Sequence, residues 1–206
     1  MADYTLHQLQ SSGNCYKIRL TAALTNTKLK TIEYDVKKGE TRTQDYLARI
    51  NATGKIPVLQ IGSDRFLPES GAASYYLATG SDLIPRDRLE HAEMLRWMFF
   101  EQYSHEPAIA TLRWWLAFVG EENLNEEQRF LMPVKRRQGE EALGVMDGHL
   151  KSRKYFVDES ITLADVALFA YTHVAGAGGF ELSRWPNVEN WCRRVEGVNG
   201  FVGIDE

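Results

Sequence analysis

The run Ser11-Ser12-Gly13-Asn14-Cys15-Tyr16-Lys17-Ile18-Arg19 gathers two hydroxyls and a carboxamide at one turn. It stands between a short strand-like stretch, Tyr4 to Leu9, and a helical pattern carried by Cys15, Ile18 and Ala22. The polar groups therefore fall at a helix amino terminus. The first N–H groups of a helix have no partner inside it, and the helix dipole adds partial positive charge there. Such a place attracts an anion. Ser and Asn are also ordinary helix caps, and on local pattern alone Ser12 or Asn14 reads simply as a cap. Two further motifs carry polar chemistry. Gly54-Lys55-Ile56-Pro57-Val58-Leu59 puts a proline at the head of a strand, where a missing N–H is tolerated. Pro68-Glu69-Ser70-Gly71-Ala72 opens another helix with an acid beside its first turn. Each motif, taken singly, is an ordinary start of a strand or a helix.

The elements that must position these residues alternate in type. After the first strand and helix, Ile32, Tyr34 and Val36 alternate with charged residues and predict a second strand. A loop with Gly39 leads to a short helix bearing Tyr46, Leu47 and Ile50, stopped by Asn51 and Gly54. Pro57 to Ile61 and Phe66-Leu67 flank Gly62-Ser63-Asp64-Arg65 as a hairpin would, and Glu69 to Leu77 reads as a helix. Beyond residues 79–87 the periodicity becomes helical throughout: Leu89 to Phe118, Asn125 to Leu150, Thr162 to Ala175 and Val188 to Val195. Asn125 with Gln128, and Thr162 with Asp165, match the capping-box pattern. The organisation expected is an α/β domain over residues 1–80 and an all-helical domain over residues 87–206.

Bulk properties narrow the function classes. With 206 residues, 44% of them hydrophobic and 25% charged, the chain can bury a sizeable core. A formal charge of -4 supplies no basic field for a phosphate backbone, which argues against nucleic acid. The stretch Met1 to Gln10 turns polar too soon for a signal peptide, and Val166 to Phe180 is too short and polar to span a bilayer. Cys15 and Cys192 are the only cysteines, which suits a reduced, cytoplasmic setting better than a disulfide framework. His7, His91, His105, His149 and His173 show no metal-ligand spacing, so no metal is expected.

Taken together, in this order and at these separations, the three motifs resemble the glutathione transferase superfamily, and the resemblance covers nearly the whole chain. The fold it implies is a thioredoxin-like amino-terminal domain followed by an all-helical carboxy-terminal domain. In that family the proline of the strand motif is cis, which Pro57 can adopt at modest cost. The backbone of Ile56 would then pair with the cysteinyl unit of glutathione, as an added strand pairs with a sheet edge. Glu69 would lie near the γ-glutamyl ammonium and Ser70 near its carboxylate, with Lys55 and Arg42 at the glycyl carboxylate. Ser160-Ile161-Thr162-Leu163-Ala164-Asp165 is similar to the family's helix-capping motif. Its Thr162 and Asp165 are expected to be structural.

The resemblance also implies where the thiol is activated. Counting back from Lys17-Ile18-Arg19, Gln8 stands where tyrosine-using classes carry their tyrosine, and Ser12 where cysteine-using classes carry their cysteine. Cys15 lies a turn later and reads as a small core residue. The bacterial serine-using classes (theta-, zeta- or nu-like) match best. They imply Ser12 as the hydroxyl that directs the glutathione thiolate and Asn14 as its support, with Ser11 as the nearest competitor. The aromatic-rich helix from Leu95 to Phe118 would wall the site of a small apolar electrophile, with Tyr103, His105 and Trp114 as candidates. A homodimer and a role in detoxification are implied as well. The alternatives are isomerisation, reduction of glutathione disulfides, and a non-catalytic ligand- or protein-binding member. Isomerases carry a cysteine where this chain has Asn14.

Overall fold

The computed structural model describes residues 3–157 and 159–206, so the expected domain start at residues 1 and 2 lies outside it. The chain divides into two compact units. One runs to Ile84 and takes in Asn199–Glu206, and the other is Pro85–Val198. The last eight residues had been expected with the helical domain. They join the first unit because its groups need their carbonyls. The Tyr16 hydroxyl donates to the Val202 carbonyl at 2.6 Å, and Arg19, a buried cation, donates to the Ile204 carbonyl. Buried polar groups take partners wherever the chain supplies them.

The first unit contains β1 (Tyr4–Gln8), α1 (Gly13–Leu24), β2 (Lys30–Glu33), α2 (Gln44–Arg49), β3 (Val58–Ile61), β4 (Arg65–Pro68) and α3 (Ser70–Ala78). The sheet order is β2-β1-β3-β4. β1 is parallel to β2, which requires the α1 crossover, and antiparallel to β3, whose hairpin with β4 completes the sheet. This is a thioredoxin-like arrangement. Alternation sends Leu6, with its register partner Leu59, into the core, where both meet Ile18 and Ala22 of α1 and Ala73 and Leu77 of α3. The opposite side of β1 carries His7, buried between the Tyr34 hydroxyl at 2.9 Å and Gln60 Oε1 at 3.0 Å. Burial lowers the pKa of His7. The second strand is shorter than the alternation of Ile32, Tyr34 and Val36 predicted. It ends at Glu33, because the Asp35 carboxylate accepts the N–H groups of Lys37 and Lys38 and turns the chain. β2 is a sheet edge, exposed along its length, with Ile32 at 43% exposure.

The second unit is built from α4 (Arg88–Phe100), α5 (Glu106–Arg113), α6 (Glu126–Leu150), α7 (Leu163–Thr172) and α8 (Pro186–Glu196). The single helix expected from Leu89 to Phe118 is interrupted twice. Glu101–His105 and Trp114–Val119 are wider π-helical turns. The first has a covalent cause: Pro107 has no N–H to offer the carbonyl four residues back, and its ring crowds that carbonyl. Asp87 caps α4 through bonds from Leu89 and Glu90 N–H, and Asn125 with Gln128 forms a reciprocal capping box on α6. Asp165 does more than cap. Its Oδ2 accepts from the N–H and hydroxyl of Thr162, while Oδ1 accepts from Phe156 N–H and the Trp191 indole, all between 2.9 and 3.1 Å. A single buried carboxylate thereby ties the segment before α7 and the middle of α8 to the start of α7.

Candidate active site

Ser12 is the N-cap of α1, with extended backbone at φ -76° and ψ 124°. Its Oγ accepts the Cys15 N–H at 3.4 Å, beyond the usual N–H···O range, so the cap bond is weak. Accepting through a lone pair leaves the hydroxyl proton able to donate elsewhere, and the capping and thiolate-directing readings are compatible. Cys15 itself is fully buried, and burial pushes its thiol up to about 11 against the pull of the Ser12 hydroxyl and Leu9 N–H. It stays protonated at neutral pH and fills the core beneath the turn. Gln8 is buried and accepts the Arg19 guanidinium at 2.7 Å, so it serves as a brace.

Asn14 is drawn toward α3. Its Oδ1 accepts Lys17 Nζ at 2.8 Å and the Ser70 hydroxyl at 3.3 Å. The amino termini of two helices therefore meet, and the N–H groups and partial positive charge of each face the same region. Glu69, the N-cap of α3, holds φ +71°, a left-handed conformation that costs a non-glycine residue roughly 1–3 kcal/mol. Its side chain is exposed while Ser70 is buried. The strained backbone swings the Glu69 side chain outward at the helix start.

The peptide bond between Ile56 and Pro57 is cis. The Lys55 carbonyl just before it is held by the Tyr46 hydroxyl at 2.8 Å and by Asn51 Nδ2 at 3.0 Å. Tyr46 comes from α2, so that short helix fixes the approach to β3. Arg42 crosses the same turn, donating to the Thr53 carbonyl at 3.1 Å. Gly54 is required beneath it. Its φ is +63°, and a Cβ there would lie 2.8 Å from Arg42 Cδ and Nη1. Arg42, just before α2, and Lys55, between α2 and β3, are thus both exposed cations flanking that helix.

The candidates in the helical unit fare differently. Tyr103 is 88% exposed beside a cavity of about 380 Å³ that also meets Phe100, Pro107, Lys135, Glu141 and Val145. Trp114 is exposed and stacks on Phe118 with centroids 5.3 Å apart. His105 is fully buried, with Nε2 2.9 Å from the Thr172 hydroxyl on α7. That places His105 in the core of the helical unit, among its buried residues rather than on the exposed surface with Tyr103 and Trp114. The sequence reading overlooked Lys17, a buried lysine three residues after Asn14. The signal was available in the spacing, since residues three apart on a helix are neighbours and Lys17 stands three after Asn14. Among the described residues, no group of three or more His, Cys, Asp or Glu side chains could hold a metal ion, and no helix is long and apolar enough to cross a membrane.

Residues 2–79 match the family described as Glutathione S-transferase, N-terminal domain, and residues 100–198 match Glutathione S-transferase, C-terminal domain. The chain is 42% identical to a solved structure described as a possible glutathione S-transferase from Rhodopseudomonas palustris, covering 98% of this chain and 90% of that one, with a TM-score of 0.92. It is 40% identical to glutathione S-transferase from Pseudomonas fluorescens, covering 98% and 99%, again with a TM-score of 0.92. Glutathione S-transferase stcT of Emericella nidulans is 32% identical, with 79% of this chain and 74% of that protein aligned.

Proposed function

The chain belongs to the glutathione S-transferase family, and from that premise we propose that it activates glutathione as a thiolate for attack on a small apolar electrophile. The observation that carries this reading is the bond from Ser70 to Asn14, which joins two helix amino termini, while Pro68, two residues before Ser70, pairs with Val58, the residue after the cis Ile56–Pro57 bond. In this reading Ile56 offers its backbone to the cysteinyl unit, and Glu69 and Ser70 hold the γ-glutamyl ammonium and carboxylate. Arg42 and Lys55 pair with the glycyl carboxylate.

The energetics suffice without a general base. A free thiol near ~8.5 is only a few per cent thiolate at neutral pH. Lowering it by two units takes roughly 2.7 kcal/mol of preference for the anion. A hydrogen bond to a charged group contributes about 1.5–3 kcal/mol and a helix terminus about 0.3–1 kcal/mol. Ser12 donates its hydroxyl proton in a hydrogen bond and keeps it. Asn14 supports it, the thiol proton passes to solvent, and a carbon–sulfur bond forms as the electrophile's leaving group departs with its electron pair. The serine-using class of the family, a homodimeric assembly, a cytoplasmic setting and a detoxifying role go with this reading.

The test is Ser12→Ala. It should bind glutathione with near-normal affinity by calorimetry, lose the ultraviolet absorbance of the bound thiolate, and lose roughly 2 kcal/mol of transition-state stabilisation, about thirtyfold in turnover. Full turnover in Ser12→Ala together with an inactive Ser11→Ala would move the role to Ser11. A panel of electrophiles, isomerisable conjugated acids and glutathione disulfides separates transfer from the other chemistries.

A further inference from the structure

Lys17 is 1% exposed, on a helix whose neighbouring positions are core. Withdrawing an ammonium from water is costly unless strong acceptors meet it. Its Nζ donates to Asn14 Oδ1 at 2.8 Å, and the same oxygen accepts the Ser70 hydroxyl at 3.3 Å. An amide oxygen has two lone pairs, and these two donors use both. The arrangement fixes which way the carboxamide faces, because a flipped amide would set its own NH2 against an ammonium and a hydroxyl. Asn14 therefore turns its oxygen to Lys17 and Ser70 and directs its NH2 end away from them. A cation on the oxygen also withdraws electron density through the amide and strengthens its N–H donors.

We propose that Lys17 is a positioning residue of the thiol-activating site, holding Asn14 as a polarised donor so that it supports the thiolate alongside Ser12. The inference rests on the glutathione reading above. Other charged and titratable groups on these and the adjoining elements are Cys15, Tyr16 and Arg19 on α1, Glu33 on β2, Glu69 at the head of α3, Arg42 just before α2, and Lys55 just before β3. Arg19 is turned to Gln8 and the Ile204 carbonyl, and Glu33 accepts the Gln10 N–H. Lys17 is the cation bonded to Asn14.

The experiment titrates the ultraviolet absorbance of thiolate in protein saturated with reduced glutathione, in wild type and in two neutral variants, Lys17→Met and Lys17→Gln. In each folded variant the midpoint should rise by about one pH unit, making the thiolate fraction roughly tenfold smaller below the midpoint. Turnover below the midpoint should fall by a similar factor, while calorimetric affinity for glutathione and KM move less than threefold or so. Lys17→Arg should recover part of the loss. A folded neutral variant with the wild-type midpoint would overturn the proposal. A measurement on the wild type needs no variant: the Lys17 ammonium nitrogen resonance should shift as the bound thiol ionises, and a resonance that stays fixed would also overturn it. Wild type that forms no thiolate at all would sink the glutathione reading, and this inference with it.

Discussion

Ser12 can cap a helix and direct a thiolate because the two tasks use different parts of one hydroxyl: a lone pair for the Cys15 N–H, and the proton for the anion. Cys15, three residues on, shows the opposite outcome for a group with intrinsic reactivity. Its sulfur is fully buried and its thiol is pushed up to about 11. Cys192 on α8 is also buried, and burial together with the nearby Glu196 and Glu189 raises its thiol further still. The sign follows directly. A raised thiol pKa means that the nucleophilic thiolate is scarce at every pH below it, on the order of one part in a thousand for Cys15 near pH 8. Iodoacetamide at about that pH should leave both cysteines unmodified in the native protein and alkylate both in denaturant, as read by mass spectrometry. Rapid native labelling of Cys15 would return it to candidacy as a nucleophile.

At the scale of elements, legibility tracks how local the cause is. The α1 cap, the β3–β4 hairpin and the Asn125–Gln128 box are set by residues within a few positions of each other, and each stands where its pattern predicted, while the cis Ile56–Pro57 bond was implied by the family resemblance rather than by local pattern. The π-helical turn around Glu101–His105 was missed although its cause, Pro107, is visible, because apolar periodicity does not register one extra residue in a turn. The Asn14–Ser70 bond depends on α1 and α3 packing side by side, which no local pattern states, whereas the Asn14–Lys17 bond is local, between residues three apart on α1. Asp165 spans both cases. Its partnership with Thr162 is local and was expected, whereas Phe156 N–H and the Trp191 indole come from the tertiary fold. Because four donors converge on this carboxylate, Asp165→Asn should be nearly as damaging as Asp165→Ala: an amide turns two hydrogens toward groups that need acceptors. Each variant should lose about 2–4 kcal/mol in urea unfolding while the folded fraction binds glutathione normally. Unchanged stability with abolished catalysis would make Asp165 a functional acid.

At the scale of the whole molecule, two features call for partners. Phe99, Tyr103, Phe130 and Val145 leave large apolar surface on the helical unit, at 70%, 88%, 78% and 53% exposure. Exposed apolar side chains in this number favour association. Sedimentation at micromolar concentration should report twice the 23.5 kDa chain mass, and a monomer there would contradict the proposed dimer. The second feature is internal. The Asn199–Glu206 tail returns to α1 of the first unit, where the Val202 carbonyl accepts the Tyr16 hydroxyl and the Ile204 carbonyl accepts both Arg19 and Gln10. Gln10 lies in the turn that leads to Ser12, and the tail thus braces the approach to the candidate site from behind. Burial disfavours the charged form of Arg19, lowering its pKa, so its remaining acceptors, Gln8 Oε1 and the Gln10 carbonyl, cannot be spared. Ending the chain at Val198 removes the Val202, Ile204 and Glu206 carbonyls and leaves the buried donors of Tyr16 and Arg19 short, at about 1–3 kcal/mol each. The truncated protein should unfold at lower urea, and amide exchange in α1 should accelerate more than in α6. Ile204→Ala keeps the carbonyl while removing the side chain, and should cost less than the truncation. Equal exchange in α1 with and without the tail would show that α1 holds its place unaided.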